Sequence, residues 1–290
     1  MTSSRAASSL PSLVTNVGAS TTPPSVAGGV LVAVTGASGG LGASVLTAAL
    51  AVRAVAAGRT ACVVDLDPLG GGLDIVLGLE QTDGTRWGDL AALEGEADGE
   101  SVLHTLPRAD GVRVLSHDRH GTGVPDTVVR ALVDALVLVC DLVVLDLPRP
   151  GRLPVGSPPA DHHLILAGTT LTHVAALSAL LTSMAPAHPA AGPPTGRDGG
   201  PTVRAGPVGP VGTVAVLLRG GGAGGADPAR MAPVVLRQLG AKVLGVIPDD
   251  RSVPADLAHG LPPGGRSGPL AKALDQLLLE VLQSRWAGAA

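Results

Sequence analysis

Apolar residues fall in short runs separated by turn-forming or amphipathic stretches. The runs at 30–35 (VLVAVT), 61–66 (ACVVDL), 112–116 (VRVLS), 141–146 (DLVVLD), 163–167, 213–218 and 242–247 read as strands. Most are continuous rather than alternating, which is the pattern of strands covered on both faces. Between them lie helical stretches: from the glycine-rich turn after 35 to about 58, then 73–79, 125–139, 171–184, 227–238, 251–259 and an amphipathic close at 268–285. Trp87 is placed in a turn. Strands alternating with helices predict an α/β fold: a doubly wound, mostly parallel sheet with helices on both faces. The first strand–turn–helix–strand segment is a βαβ unit, whose crossover is right-handed.

Two segments lack periodicity. Residues 1–28, ending in TTPPSVAG, read as a disordered tail. Residues 185–212 are rich in Pro and Gly and read as a disordered loop inserted in a single domain of 29–290.

Composition narrows the chemistry. Hydrophobic residues make up 45% of the 290, yet Phe and Tyr are absent and only Trp87 and Trp286 are large aromatics. The core must be Val, Leu, Ile and Ala. The scarcity of aromatics argues against single-strand binding by base stacking, and a net charge of −4 gives no basic footprint, so no direct nucleic-acid contact is expected. Cys62 and Cys140 sit in apolar runs and read as buried free thiols. No apolar run reaches the ~18–20 residues of a membrane span, and the N-terminus has no apolar h-region. A cytoplasmic protein is expected, recruited to the inner face of the membrane only through partners.

The chemistry-bearing motif is TGASGGLGAS, residues 35–44, between a strand and a helix. Glycines let backbone N–H groups curl around phosphate oxygens, and a helix N-terminus adds partial positive charge. Gly39, Gly40, Leu41, Gly42, Ala43 and Ser44 are the candidate phosphate-binding residues, and Ser44 stands where a Mg²⁺-ligating hydroxyl belongs. Aligned to GxxxxGK[ST], the loop has Ala43 in the lysine position. The chain has only two lysines, Lys242 and Lys272, both remote in sequence. A rescuing cation would be an arginine, with Arg149 and Arg219, each just past a strand, as candidates. Three acids strengthen the motif. Asp65 and Asp67 close the second strand (VVDLDPLGGGLD), and Asp146 closes a later one (LVVLDLP). Carboxylates at the C-terminal ends of parallel strands face the ligand crevice and can hold Mg²⁺ or orient water.

Together, GASGGLGAS, VVDLDPLGGGLD, DLVVLDLP and GVIPDD resemble the MinD/ParA class of P-loop proteins, nearest to the actinobacterial CpaE-like, or septum-site-determining-like, group. The resemblance spans about residues 29–285. It implies ATP or ADP with Mg²⁺ as ligand. It implies Asp67 as the water-orienting carboxylate of switch I and Asp146 as the Walker B acid, so these two are the catalytic candidates. Ser44, Asp65 and Asp146 are the metal candidates. Pro148 to Gly151 would be switch II. Pro248 and Asp249 would border the adenine, with Arg219 beside a position where the family has Asn. The family's bridging lysine falls at Ser38. Its loss, with that at Ala43, predicts weak or absent hydrolysis. The implied role is a nucleotide-linked regulator or scaffold in septum-site determination or Flp pilus/secretion assembly, with protein partners from that machinery and a homodimer as the implied assembly. A functional ATPase using an arginine, and an interaction protein with an empty site, are the alternatives.

His117 and His120, with Asp118 between them, lack further ligands at a metal-site spacing. The Leu-rich C-terminal helix, whose polar face is poor in Lys and Arg, is expected to pack on the sheet.

Overall fold

The structure, a computed structural model, describes residues 28–118, 123–149, 159–184, 213–220 and 225–286. The sequence-read tail and the 185–212 insertion lie outside them. In chain order the elements are β1 (Val30–Gly36), α1 (Ala43–Ala56), β2 (Ala61–Asp65), α2 (Leu73–Val76), α3 (Trp87–Leu90) and α4 (Gly99–Thr105). Next come β3 (Arg108–Ala109), β4 (Val112–Leu115), α5 (Asp126–Val139), β5 (Leu142–Asp146), β6 (His162–Ala167) and α6 (Leu171–Met184). The last are β7 (Thr213–Arg219), α7 (Pro228–Leu239), β8 (Lys242–Ile247), α8 (Ser252–Ala258) and α9 (Pro269–Trp286).

The strands form one eight-stranded sheet in the order β3-β4-β2-β5-β1-β6-β7-β8. Every neighbouring pair is parallel except β3 and β4, which form an antiparallel hairpin at the edge. Continuous apolar runs become the central strands because helices cover both faces. All residues of β1, β2, β5 and β6 are buried. On one face, α1 and α9 pack over Val32, Val34, Val63, Val144 and Leu164. On the other, α5 covers Leu31, Ala33, Val64 and Val143, and the α6 and α7 side covers Ile165, Val216 and Leu218. The helices bury the expected stripe: Val128, Leu132 and Leu136 of α5 are buried at four-residue spacing while Leu138 stays 61% exposed. Helix α9 likewise turns Leu270, Leu274, Leu277, Leu278 and Val281 inward. Arg53 of α1 then grips Asp275 of α9 with two hydrogen bonds of 2.7 and 3.0 Å.

The structure adds elements where the sequence reading had loops. Trp87 opens a one-turn helix rather than a plain turn, and α4 and β3 were not read at all. The first long helix ends at Ala56, two residues before the expected end. No helix among the described residues is long and apolar enough to cross a membrane.

Parallel pairing fixes where the chemistry falls. Asp65, the last residue of β2, is the register partner of Asp146, the last residue of β5, and Asp146 is also in register with Val34 of β1. The strands therefore deliver the glycine-rich turn and both acids to one edge.

Candidate functional site

The glycine-rich turn is anchored at its start and at its end. Ala37 donates its N–H to Leu166 of β6 at 2.9 Å. At the far end Gly42 caps α1 at φ 89°, a left-handed conformation that favours glycine. Gly39 and Gly40 are exposed between these anchors, Leu41 is buried, and Ala43 and Ser44 begin α1. This presents the N-terminus of a fourteen-residue helix at the mouth of the loop.

On one side of the loop lie the acids. The Ser44 hydroxyl lies close enough to the Asp146 carboxyl to favour its charged form. Asp146 is 5% exposed, and its burial pushes its pKa up to about 7; the Ser44 hydroxyl opposes this, and the charges of Asp65 and Asp67 add to it. Asp65 is pushed up to about 6, again chiefly by burial, against the amides of Leu73 and Asp67 that favour its charged form. Those two amides, each at 3.0 Å, take one Asp65 oxygen apiece, so this carboxylate already braces the loop that follows β2. Asp67 turns to the next bend, where Oδ1 accepts from Leu69 N–H at 3.2 Å. Among the described residues no group of three His, Cys, Asp or Glu can hold a metal ion by itself. The donor set here, one hydroxyl beside one or two carboxylates, suits Mg²⁺, which keeps waters and leans on phosphate oxygens. His120 lies outside the described residues, and His117 packs by Trp87 with ring centroids 6.1 Å apart.

On the other side lies a cavity of about 200 Å³, lined by Gly40, Leu41, Thr169, Thr170, His173, Arg219 and Asp249, among others. Arg219 spans its wall, donating from Nη1 to the Leu41 carbonyl at 2.5 Å and from Nε to Asp249 at 2.9 Å. Pro248, half-buried, precedes Asp249 just past β8. Thr169, Thr170 and His173 were missed from sequence, although they follow a buried strand just as the acids do. The predicted residues thus gather at one sheet edge in two groups, with the glycine-rich turn between them.

The same architecture recurs in solved structures. The ParA family ATPase of Chlorobium tepidum superposes with a TM-score of 0.63 at 14% identity, covering 86% of this chain and 98% of that one. The septum site-determining protein MinD of Pyrococcus horikoshii, complexed with Mg-ADP, gives 0.58 at 18% identity, over 87% and 95%. The chain has the MinD/ParA fold. No family model matches its sequence. The uncharacterised protein Rv3660c of Mycobacterium tuberculosis is 43% identical over 121 residues, which is 42% of this chain and 33% of that protein. The match therefore spans about a third of the length of this MinD/ParA-fold chain's curated relative. Identities this low to the solved ATPases carry the architecture alone.

Proposed function

We propose that this chain is a nucleotide-linked spatial regulator or scaffold that binds ATP or ADP with Mg²⁺ weakly and hydrolyses ATP slowly or not at all. One observation carries the reading. The Ser44 hydroxyl, at the start of α1, acts on the buried Asp146 carboxyl and favours its charged form, next to a phosphate-type loop that has no lysine. The backbone cradle and the metal-side acids are retained, while the charge that stabilises phosphoryl transfer is lost. Ser38 and Ala43 hold the two positions where the family carries lysine. Gly39 to Ser44 would hold the phosphates, with Ser44, Asp65 and Asp146 toward Mg²⁺. Arg219, Pro248 and Asp249 would border the base. Asp67 is the candidate to orient a water in whatever hydrolysis remains.

The biological setting we propose is septum-site determination or Flp pilus/secretion assembly, with proteins of that machinery as partners and a second copy of the chain as another.

Calorimetric titration with ATP and ADP in the presence of Mg²⁺ tests the reading, repeated on Ala43→Lys. Restoring a charge-assisted contact of about 1.5–3 kcal/mol should tighten ATP binding at least tenfold. No heat at millimolar nucleotide from either protein would leave an interaction protein with an empty site. Steady-state hydrolysis abolished by Asp146→Asn and by Asp67→Ala would instead make it an ATPase.

A further inference from the structure

The loop lacks its own cation, but the fold brings one to it. Of the two arginines near the site, Arg219 is committed: it holds the Leu41 carbonyl and Asp249 at the cavity wall. Arg149 is not. It follows Asp146 by three residues, on the segment leaving β5. That segment is pinned to β1, because Leu147 N–H donates to the Val34 carbonyl at 2.9 Å and its own carbonyl accepts from Thr35 Oγ1 at 3.4 Å. The pinning brings Arg149 Nη2 to 3.9 Å from where a Cβ on Gly39 would stand. The Arg149 side chain is exposed and makes no hydrogen bond or ion pair among the described residues.

A second observation points to a ligand at this spot. The Ser38 hydroxyl, next to Gly39, is buried and has no hydrogen-bond partner among the described residues. A buried polar atom without a partner costs free energy that a bound acceptor would recover. Gly39 and Gly40 lie exposed beside it, and a side-chain atom added at Gly40 would meet nothing within 4 Å. An uncommitted guanidinium and open backbone therefore meet at Gly39, with an unpartnered hydroxyl on the residue before it. A guanidinium presents a planar fork that matches two oxygens of one phosphate, so it suits this place better than an ammonium would.

We propose that Arg149 is the phosphate-reading cation of this site, contacting the outer phosphates of a nucleoside di- or triphosphate in place of the lysines absent at Ser38 and Ala43. The assignment rests on the nucleotide reading above. It differs from ordinary P-loop chemistry in where the charge comes from: a segment after the Walker B-type acid, not the glycine-rich loop. Arg219 then belongs to the base side.

The experiment is calorimetry on the full chain with Mg²⁺ and four ligands: ATP, ADP, AMP and inorganic tripolyphosphate. Arg149→Gln keeps length and removes charge. It should bind ATP and tripolyphosphate about tenfold to a hundredfold more weakly, with a smaller loss for AMP. Arg149→Lys should recover part of the loss, and Arg230→Ala on the exposed face of α7 should match wild type. Thermal melts of each variant check folding; should Arg149→Gln not fold, Arg149→Lys and the salt dependence of wild-type tripolyphosphate binding carry the test. Equal ATP affinity in wild type and Arg149→Gln would overturn the assignment and leave the nucleotide reading standing. Wild-type binding of tripolyphosphate but not of ATP, lost in Arg149→Gln, would keep Arg149 and remove the nucleotide. Binding of neither would remove both.

Discussion

The indole N–H of Trp87 donates a 2.6 Å hydrogen bond to the backbone carbonyl of Asp65. The same Asp65 holds the amides of Asp67 and Leu73 with its side chain. A fully buried tryptophan is therefore tied to the segment that carries two of the candidate acids. Only one other tryptophan exists, Trp286. In a Trp286→Phe variant, emission from Trp87 should change saturably on titration with Mg-ATP, with the midpoint found by calorimetry. Flat emission at saturating nucleotide would separate this segment from binding. Trp87→Phe should cost about 1–3 kcal/mol in denaturant unfolding, since it leaves a buried carbonyl without that donor.

How much of this was legible in sequence follows from how local each signal is. The long strands were readable because they are continuous runs of Val, Leu and Ile with acids or glycines at their ends, and the fold follows from their alternation with helices. The glycine-rich turn and Asp146 were readable because both lie at strand ends. Of the edge hairpin only β4 is read from sequence; β3 is missed although the Asp110-Gly111 turn, at φ 45° and 89°, signals it, because a strand of two residues carries too little alternation to stand out. The side chains around the crevice were less legible. Thr169, Thr170 and His173 reach the cavity only because β6 lies next to β1, a neighbour relation that no local pattern states. The same holds for the separation of Arg149 from Arg219, which depends on tertiary contacts across the sheet edge.

Two glycines in the loop should respond differently to the same added methyl. At Gly42, φ is 89° and the new Cβ would lie 3.2 Å from Arg219 Nη1. Gly42→Ala therefore combines a left-handed backbone cost with displacement of Arg219 from the Leu41 carbonyl. At Gly40, φ is 75° with nothing within 4 Å, so Gly40→Ala carries the backbone cost of about 1–2 kcal/mol and little else. Thermal unfolding should show Gly42→Ala as the less stable protein. Equal losses would mean that Arg219 gives way without penalty.

Helix α9 is expected to be structural rather than a detachable surface element. Leu274 is fully buried against the α1 side of the sheet, and Arg53 fastens the neighbouring Asp275. Leu274→Ala should destabilise by about 2–5 kcal/mol, the range for truncating a packed core leucine. Asp275→Ala, half-exposed, should cost well under that because solvent screens the pair. Unfolding midpoints in urea decide the matter. A Leu274→Ala variant as stable as wild type would show that α9 contributes little to the fold.

Asp146 offers a test whose sign is fixed by its burial. Its pKa in the fold is about 7, against an ordinary 3.8. The folded protein therefore holds this proton more tightly than the unfolded chain does. As pH rises from about 4 to 7, the unfolded chain ionises first, so this group's contribution to stability falls and then levels off above 7. The full shift corresponds to roughly 4 kcal/mol as an upper bound. Asp146→Asn cannot ionise and still offers Ser44 an acceptor. Its stability advantage over wild type should be near zero at pH 4, grow through pH 7 and then stay constant. Asp65 is present in both proteins, so most of its own titration cancels in the difference. Mg²⁺ needs the ionised carboxylate, so Mg-dependent nucleotide binding should strengthen through the same window in wild type and be weak at every pH in the variant. Urea unfolding at pH steps from 4 to 8.5, with parallel ATP titrations, measures both. A stability difference independent of pH would mean that Asp146 is ionised throughout, and that the crevice beneath Ser44 is wetter than its burial indicates.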